Sequence, residues 1–219
     1  MNNPGGNILN QQGNLTNPNQ VANLGAHEIL MIHEKLSNTI NVINNFEIYQ
    51  QHVHDPELRD ILNRQLDFMV QGYNNIVDYL NQKGAGHAAP YRPSLEQPVE
   101  YGLRNPGQES PNMSPNQLDD HDISAAMLGA SKASAVCDTN TTLECTDPAL
   151  RELMGNCIQS AVNMAYETFE YMHKKGYYQV PTLQANTTQT IIDSYQTASS
   201  PQMLTEDPMS EVGETYSMY

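Results

Sequence analysis

A stretch of sequence long enough for one helix occurs twice in this chain, 92 residues apart and without a gap. Residues 55–59, DPELR, recur as residues 147–151, DPALR, and Lys83-Gly84 recurs as Lys175-Gly176. An internal repeat constrains the architecture strongly, because a repeated unit buries its apolar face against a neighbouring unit. Matching side chains between these ends keep the same spacing, including the pairs Val70 and Val162, and Tyr79 and Tyr171.

The repeated block begins and ends with residues that start and stop helices. Asp accepts hydrogen bonds from the free N–H groups of a first turn, and Pro suits the first helical position because it has no N–H to leave unpaired. Lys followed by Gly favours a helix end, since the cation lies near the last carbonyls and Gly adopts positive φ without strain. The sequence therefore predicts two helices that start at Asp55-Pro56 and Asp147-Pro148 and stop at Lys83-Gly84 and Lys175-Gly176.

A further helical pattern precedes each repeated helix. The first predicted helix spans residues 26–52, and its apolar stripe comprises Ile29, Leu36, Ile40 and Ile43. The third spans residues 115–139, and a capping box of Ser114 and Gln117 marks its start. Its stripe of mostly small residues comprises Ile123, Met127, Ala130, Ser134 and Cys137.

These four helices predict two antiparallel hairpins, residues 26–84 and 117–176, joined by a crossover at residues 85–116 that contains six prolines. Extended chain at roughly 3 Å per residue can run the length of a helix of about 40 Å. The sequence therefore predicts an all-α, ferritin-like, up-down-down-up four-helix bundle over residues 24–181. The polar residues 1–23 and 182–219 are predicted to be flexible tails.

Composition excludes several classes of partner. The formal net charge is −15, which disfavours nucleic acids and anionic membrane surfaces. No basic segment followed by an apolar stretch opens the chain, so we expect no secretory signal and no membrane insertion. The three cysteines are an odd number at irregular spacing, which fits neither a disulfide framework nor a zinc site, so we expect buried or half-buried free thiols, Cys137, Cys145 and Cys157.

A ferritin-like bundle raises the question of a di-metal site, which needs Glu-x-x-His on two helices and a Glu on each of the other two. The chain offers one such motif, Glu170-x-x-His173, and the repeat puts Asn81 where a second histidine would stand. We therefore expect Glu170 and His173 to belong to a solvated helix end, and we predict no metal site. A di-iron or di-manganese oxidase that uses Glu47, Glu170 and His173 remains the alternative.

The other histidines and acids are interpreted as structural. Glu28, His33, Glu34 and Glu47 lie on the first helix, where a hydrogen-bonded pair of His33 and Glu47 is the simpler interpretation. His121 lies among Asp119, Asp120 and Asp122, and acids there compensate the helix dipole, although a divalent ion is the alternative. His52 and His54 fit a surface turn. No nucleophile or phosphate-loop motif occurs, so we predict no catalytic residue and no cofactor.

Seven tyrosines lie outside the predicted helices: Tyr91, Tyr101, Tyr177, Tyr178, Tyr195, Tyr216 and Tyr219. Aromatic residues are depleted in flexible chains, so we expect these tyrosines to have a role. One interpretation is docking onto the bundle. Another is adhesive or oxidatively cross-linked arms on an assembling protein.

The second hairpin contains several short motifs in a fixed order. They are Asp122-Ile123, Met127-Leu128, the repeated block at Asp147, and Phe169-Glu170-Tyr171-Met172 followed by Lys174-Lys175-Gly176-Tyr177-Tyr178. Over residues 119–181 they resemble the spore coat protein F family of endospore-forming bacteria, and residues 25–84 share a weaker likeness.

The resemblance implies a non-enzymatic structural component of the endospore coat, made in the cytoplasm of the sporulating cell. Its expected partners are other spore coat proteins and further copies of itself. It brings no catalytic residue set with it. A soluble sporulation adaptor that binds one partner in the groove between the hairpins is the second alternative.

Overall fold

The computed structural model describes residues 24–81, 89–93 and 98–198, and within them the chain is all-α. Four long helices are α1 (Ala26–Tyr49), α2 (Pro56–Leu80), α3 (Asp120–Glu144) and α4 (Pro148–Lys174). They belong to one compact unit that ends at Pro181, and residues from Thr182 form a second unit. None of the helices in the described part has the length and hydropathy that a membrane crossing requires.

Hydrogen bonds between helix ends fix the direction of each helix. Tyr79 at the end of α2 contacts Asp147 at the start of α4, and Tyr171 at the end of α4 contacts Asp55 at the start of α2. Asp120 at the start of α3 also binds the N–H group of Asp55, so α2 and α3 start at the same end of the bundle.

The start of α1 lies at the opposite end, because Glu28 binds the N–H groups of Thr146 and Asp147 between α3 and α4. The order is therefore up-down-down-up, as the repeat predicts. Helix α3 packs against α1 and α4, and α2 packs against the same two helices. The closer likeness to ferritin itself stays a prediction.

The helix starts and stops of the repeat are confirmed wherever the structure describes them. The Asp55 carboxylate accepts from the N–H of Glu57 at 2.9 Å, and Asp147 accepts from that of Leu150 at 2.8 Å. Gly176 follows α4 with φ of 77°, a conformation that glycine adopts without steric cost. The predicted stop at Lys83-Gly84 lies outside the described residues.

Two apolar clusters form the core, one toward each end of the bundle. Phe46, Leu62 and Met127 belong to the first, which Tyr171 completes. The second contains Ile32, Ile76, Leu150 and Met154 from α1, α2 and α4. Polar side chains occupy the stretch of α1 and α3 between these clusters.

The predicted apolar stripe of α1 was wrong for Ile29 and Ile40, whereas Leu36 and Ile43 pack against the two core clusters. Ile29 and Ile40 are 41% and 44% exposed, and Leu36 and Ile43 are half-buried, whereas the buried face includes Glu28, Lys35 and Thr39. Glu28 and Lys35 point inward because each has a partner there, and the Thr39 hydroxyl donates to the Lys35 carbonyl of its own helix, so the buried face differs from the one that hydrophobicity alone selects.

Three helix boundaries also differ from the prediction. One of them is the end of α3, which lies at Glu144, five residues after the predicted residue 139. Ser114 caps only a 3₁₀ turn (Pro115–Gln117), and α3 begins five residues later at a capping box of Asp119 and Asp122. Helix α1 ends at Tyr49, three residues before the predicted end. In α3, Ile123 and Met127 are buried as predicted, but the small residues that follow are only half-buried.

The second unit contains a helix where a flexible tail was predicted. Helix α5 (Ala185–Asp193) is held by local bonds, such as that from Gln189 Nε2 to Asp193 Oδ1 at 2.7 Å. Ile191 and Ile192 on it are exposed. The predicted tail at residues 1–23 and the residues from 199 onward lie outside the described part.

Candidate functional site

The crossover is anchored to α4 by one tyrosine. Tyr91 is 6% exposed, and its hydroxyl donates to Glu167 Oε2 at 2.5 Å. Its backbone N–H donates to Ser160 Oγ at 3.1 Å, and its carbonyl accepts from Asn163 Nδ2 at 2.5 Å. The ring packs edge-to-face on Phe68 of α2, with centroids 5.3 Å apart. Tyr91 is therefore a docking residue and not an exposed arm.

The Glu167 carboxylate is the buried centre of this contact. It is fully buried and accepts hydrogen bonds from Arg64 Nη2 at 2.9 Å and from Gln65 Nε2 at 3.0 Å, in addition to Tyr91. Burying a carboxylate is costly unless charge-assisted hydrogen bonds replace its water. Burial, and then the neighbouring Glu167, raise the pKa of Tyr91 far above its usual range, so the phenol stays a donor.

A second anchor holds the crossover near the end of α4. The Nε2 atom of His173 accepts from the backbone N–H of Glu100 at 2.8 Å, so its proton sits on Nδ1, which donates to the Tyr178 carbonyl at 2.9 Å. The imidazole stacks on Phe169 at 5.5 Å between centroids. Beside it, residues 101 and 180 form a parallel bridge, with Gly102 N–H donating to Val180 at 2.8 Å.

A buried carboxylate of α1 closes the end of the bundle where α3 turns into α4. Glu28 Oε1 accepts from the N–H groups of Thr146 and Asp147 at 2.7 and 2.8 Å. Its Oε2 accepts from the N–H of Gly25 and the hydroxyl of Thr146, both at 2.8 Å. Burial opposes ionisation, but these four hydrogen bonds outweigh it and lower the pKa of Glu28 from 4.5 to about 2.

The opposite end repeats this arrangement with different side chains. Asp120 accepts from the N–H groups of His54 and Asp55 at 2.8 and 3.1 Å. Asp120 follows Glu28 by 92 residues, and its two partners precede Thr146 and Asp147 by the same number. The repeat therefore extends upstream of the block that sequence comparison detects.

Tyrosine and arginine contacts also recur at a spacing of 92 residues. Tyr79 donates to Asp147 at 2.5 Å and Tyr171 donates to Asp55 at 3.1 Å. Each arginine of the repeated DPxLR block binds the carbonyl six residues before it: Arg59 binds Val53, and Arg151 binds Cys145 at 3.2 Å. We call these six contacts, two of each of three kinds, the end contacts; they comprise Glu28, Asp55, Arg59, Tyr79, Asp120, Asp147, Arg151 and Tyr171.

The middle of the bundle has no such symmetry. Lys35 Nζ of α1 lies 2.6 Å from Asp138 Oδ1 of α3, and the two side chains are 9% and 1% exposed. They line a cavity of about 60 Å³ together with Cys157 and Ser160 of α4. Burial raises the pKa of Asp138, while the adjacent Lys35 ammonium opposes that rise.

The residues of the di-metal alternative do not share a site. Glu170 and His173 are buried at 2% and 5% exposed, so the predicted solvated helix end was wrong. His33, Glu34 and Glu47 are exposed, and the predicted contact of His33 with Glu47 is replaced by one from Gln50 to Glu47 at 3.3 Å. Across residues 24–81, 89–93 and 98–198, no group of three or more His, Cys, Asp and Glu side chains could hold a metal ion.

The remaining predicted residues have structural contacts. Asp119 and Asp122 cap α3 reciprocally, and His121 stacks on Tyr177 at 4.9 Å between centroids. Exposed tyrosines outside the four bundle helices are Tyr101, Tyr177, Tyr178 and Tyr195, while Tyr216 and Tyr219 lie outside the described residues.

The three cysteines are free thiols, as predicted. Burial raises the pKa of Cys145 and of Cys157 to about 11, and burial also raises that of Cys137. A thiol is a nucleophile only as the thiolate, so these positions do not favour cysteine chemistry at neutral pH.

Sequence reasoning allowed for docking of Tyr91, but it missed the contacts of Glu28 and Asp120 across the bundle ends and the Lys35–Asp138 pair. Glu28 and Asp120 carried a usable signal, because two acids at the repeat spacing precede the two Asp-Pro starts by about one helix length. The ion pair had none, since its two members lie 103 residues apart and outside the repeated positions.

Comparison with known proteins agrees with this architecture. The Coat F domain family matches residues 119–181, which span α3 and α4. Spore coat protein F-like protein YhcQ of Bacillus subtilis (strain 168) is 35% identical over 191 residues, covering 86% of this chain and 88% of the relative.

A crystal structure from Bacillus halodurans C-125, described as that of a candidate spore coat protein, superposes with a TM-score of 0.55 at 17% identity. It covers 74% of this chain and 96% of the solved one, and it supports the fold alone. On the length and identity of the match to the curated relative, this chain belongs to the spore coat protein F family.

Proposed function

We propose that this chain is a non-enzymatic structural component of the endospore coat, where it assembles with other coat proteins. Family membership carries the proposal, because the curated relative matches over most of both chains and is described as a spore coat protein F-like protein. Under this proposal the chain is made in the cytoplasm of the sporulating cell and ends in the coat.

The contacts of the reactive side chains support a structural role. Both ring nitrogens of His173 are engaged by backbone groups, and the carboxylates of Glu28 and Glu167 are surrounded by donors. A catalytic acid or base needs access to substrate, which these groups lack while the crossover is docked. Buried thiols with a raised pKa point the same way.

Exposed side chains supply the surface for assembly in this proposal. Tyr101 and Tyr195 are 73% and 79% exposed, and amphipathic aromatic rings are enriched where proteins associate. Lys132 and Lys174 are exposed on α3 and α4 and offer amines for chemical cross-linking to neighbours.

Fractionation of mature spores tests the location. Purified spores are treated with alkaline detergent to remove the coat, and peptides of this chain are quantified in the coat extract, the spore core and vegetative cells. The proposal expects most copies in the coat extract, together with a known coat marker. Recovery mainly with a core or cytosolic marker would refute it.

Cross-linking of intact spores tests the assembly. An amine-reactive cross-linker followed by mass spectrometry is expected to join Lys132 or Lys174 to peptides of other coat proteins. If every cross-link of these lysines stays within this chain, the assembly proposal fails even where the location holds.

A further inference from the structure

The bundle consists of two halves that the chain joins only once. Hairpin 1 is α1 and α2, hairpin 2 is α3 and α4, and the crossover is the single covalent path between them. Each hairpin covers its inner face with the other hairpin, because both apolar clusters draw residues from both. A lone hairpin would expose those faces to water.

The end contacts are equivalent in the two hairpins. Each hairpin contributes one acid, Glu28 or Asp120. This acid binds backbone N–H groups in the turn between the two helices of the other hairpin, at residues 146–147 or 54–55. Each also contributes one tyrosine that binds the other's capping Asp. At its ends, a hairpin therefore carries both sides of the contact and fits either kind of hairpin.

The side chains in the middle of the bundle differ between hairpin 1 and hairpin 2. Lys35 belongs to hairpin 1 and Asp138 to hairpin 2, and the positions 92 residues away hold Met127 and Phe46. Two hairpins of the same kind would therefore bury Lys35 opposite Phe46, or Asp138 opposite Met127. A buried charge without its counter-ion is strongly unfavourable, so the ion pair selects the mixed pairing.

The hydrogen bonds of Glu167 also favour the packing of hairpin 1 on hairpin 2. Arg64 and Gln65 of hairpin 1 donate to Glu167 of hairpin 2, whereas the positions 92 residues from Arg64 and Glu167 hold Asn156 and Asn75. Pairing of like hairpins would leave the Glu167 carboxylate without these donors. Buried polar contacts in the middle thus set the identity of the partner, while the symmetric ends set the register.

We propose that the inner face of each hairpin also fits the opposite hairpin of a second copy of this chain, so that two chains exchange hairpins, with the Lys35–Asp138 pair selecting hairpin 1 for hairpin 2. The exchange preserves every contact between hairpins and changes only which chain supplies each side. Residues 105–119 lie between the last anchored part of the crossover and α3, and these 15 residues at roughly 3 Å each reach about 45 Å, so the exchange can keep both anchors of the crossover. The inference rests on the fold and not on the place in the coat, so its failure would leave the proposed function untouched.

Two full-length variants, each with the charge of one member of the buried ion pair reversed, test the pairing of hairpins between chains. Lys35→Asp and Asp138→Lys each set two like charges against each other within one chain, so neither variant alone forms a stable bundle. In a mixture, hairpin 1 of the Lys35→Asp chain meets hairpin 2 of the Asp138→Lys chain, and the two remaining hairpins restore the natural pair. A single chain that carries both changes is the matched control.

The two variants are refolded together at equal concentration and analysed by light scattering and native mass spectrometry. The expected product is a 1:1 dimer of the two variants with restored helicity, while the doubly substituted control folds as a monomer. If the control folds and the mixture yields no such dimer, hairpin exchange is refuted.

If the control does not fold, the same experiment is done with a partly exposed ion pair between the hairpins. Lys174 Nζ contacts Glu57 Oε1 at 2.9 Å between α4 and α2, where the two side chains are 46% and 27% exposed, so we expect the Lys174→Glu and Glu57→Lys chains each to fold. After refolding the mixture at high concentration, the proposal expects mixed dimers in roughly tenfold excess over either dimer of one variant. A statistical distribution, or monomers alone, would overturn it.

Discussion

The substitution Glu28→Gln tests how much one buried carboxylate contributes to joining the hairpins. Glutamine keeps the shape of the side chain and one acceptor oxygen. Its amide nitrogen, however, replaces Oε2, which accepts from the N–H of Gly25 and the hydroxyl of Thr146. The N–H of Gly25 would then face a second donor, and the charge that strengthens all four bonds is lost.

The magnitude follows from the pKa of Glu28. That pKa is about 2 in the folded chain against 4.5 ordinarily, and one pKa unit corresponds to 1.36 kcal/mol, so ionisation stabilises the fold by roughly 3 kcal/mol. Because the folded pKa is the lower one, this stabilisation is complete above about pH 5. It is lost as the pH falls from 4.5 towards 2.

Urea denaturation followed by far-UV circular dichroism, repeated between pH 7 and pH 2.5, measures this effect. We expect the Glu28→Gln chain to unfold with a free energy about 2 to 3 kcal/mol lower than the natural chain at pH 7, and the gap to narrow as the pH falls below 4.5. Glu34→Gln, an exposed change on the same helix, is the control and should differ by less than about 0.5 kcal/mol.

Two results would show that Glu28 does not stabilise the fold in this way. Equal free energies of unfolding for Glu28→Gln and Glu34→Gln at pH 7 would mean that the four hydrogen bonds contribute nothing net. A gap of constant size from pH 7 to pH 2.5 would mean that the carboxylate has an ordinary pKa in the folded chain.

Three further predictions concern the stop after α4, the crossover and the thiols. Gly176→Ala should lower the free energy of unfolding by about 1 kcal/mol because φ is positive there, whereas Gly129→Ala inside α3 should raise it by roughly 0.5 to 1 kcal/mol; urea denaturation of both chains measures the contrast. Tyr91→Phe removes a donor to a buried carboxylate and should cost about 1 to 3 kcal/mol, with faster amide hydrogen exchange along the crossover; unchanged exchange would contradict the anchor. Cys145 and Cys157 have a pKa of about 11, so on the order of one in a thousand is ionised at pH 8, and a disulfide reagent should modify them far more slowly in native protein than in urea.

Local signals explain why much of the fold could be predicted from the sequence. Asp147-Pro148 and Gly176 act through neighbouring backbone groups, so their effect is visible within a few residues of sequence. The repeat at 92 residues also predicts that the two hairpins pack on each other, because each repeated helix needs the other to cover its apolar face.

Distant partners explain the failures. Lys35 looks like a surface residue until Asp138 is known to face it, so the buried side of α1 could not be found from hydrophobicity. Ser114 and Asp119 both resemble helix caps, and the choice between them depends on Asp120, which must lie beside the link at residues 54 and 55. Tyr91 and His173 needed the path of the crossover, which no periodicity specifies.

The layer of the mature spore that contains this chain decides whether it is a coat component. Thin sections of spores from the organism that carries this chain can be labelled with an antibody against the bundle and colloidal gold, and the particles counted by layer. We expect most particles to lie over the coat, outside the cortex. Particles concentrated over the core, or absent from spores and present in vegetative cells, would contradict it.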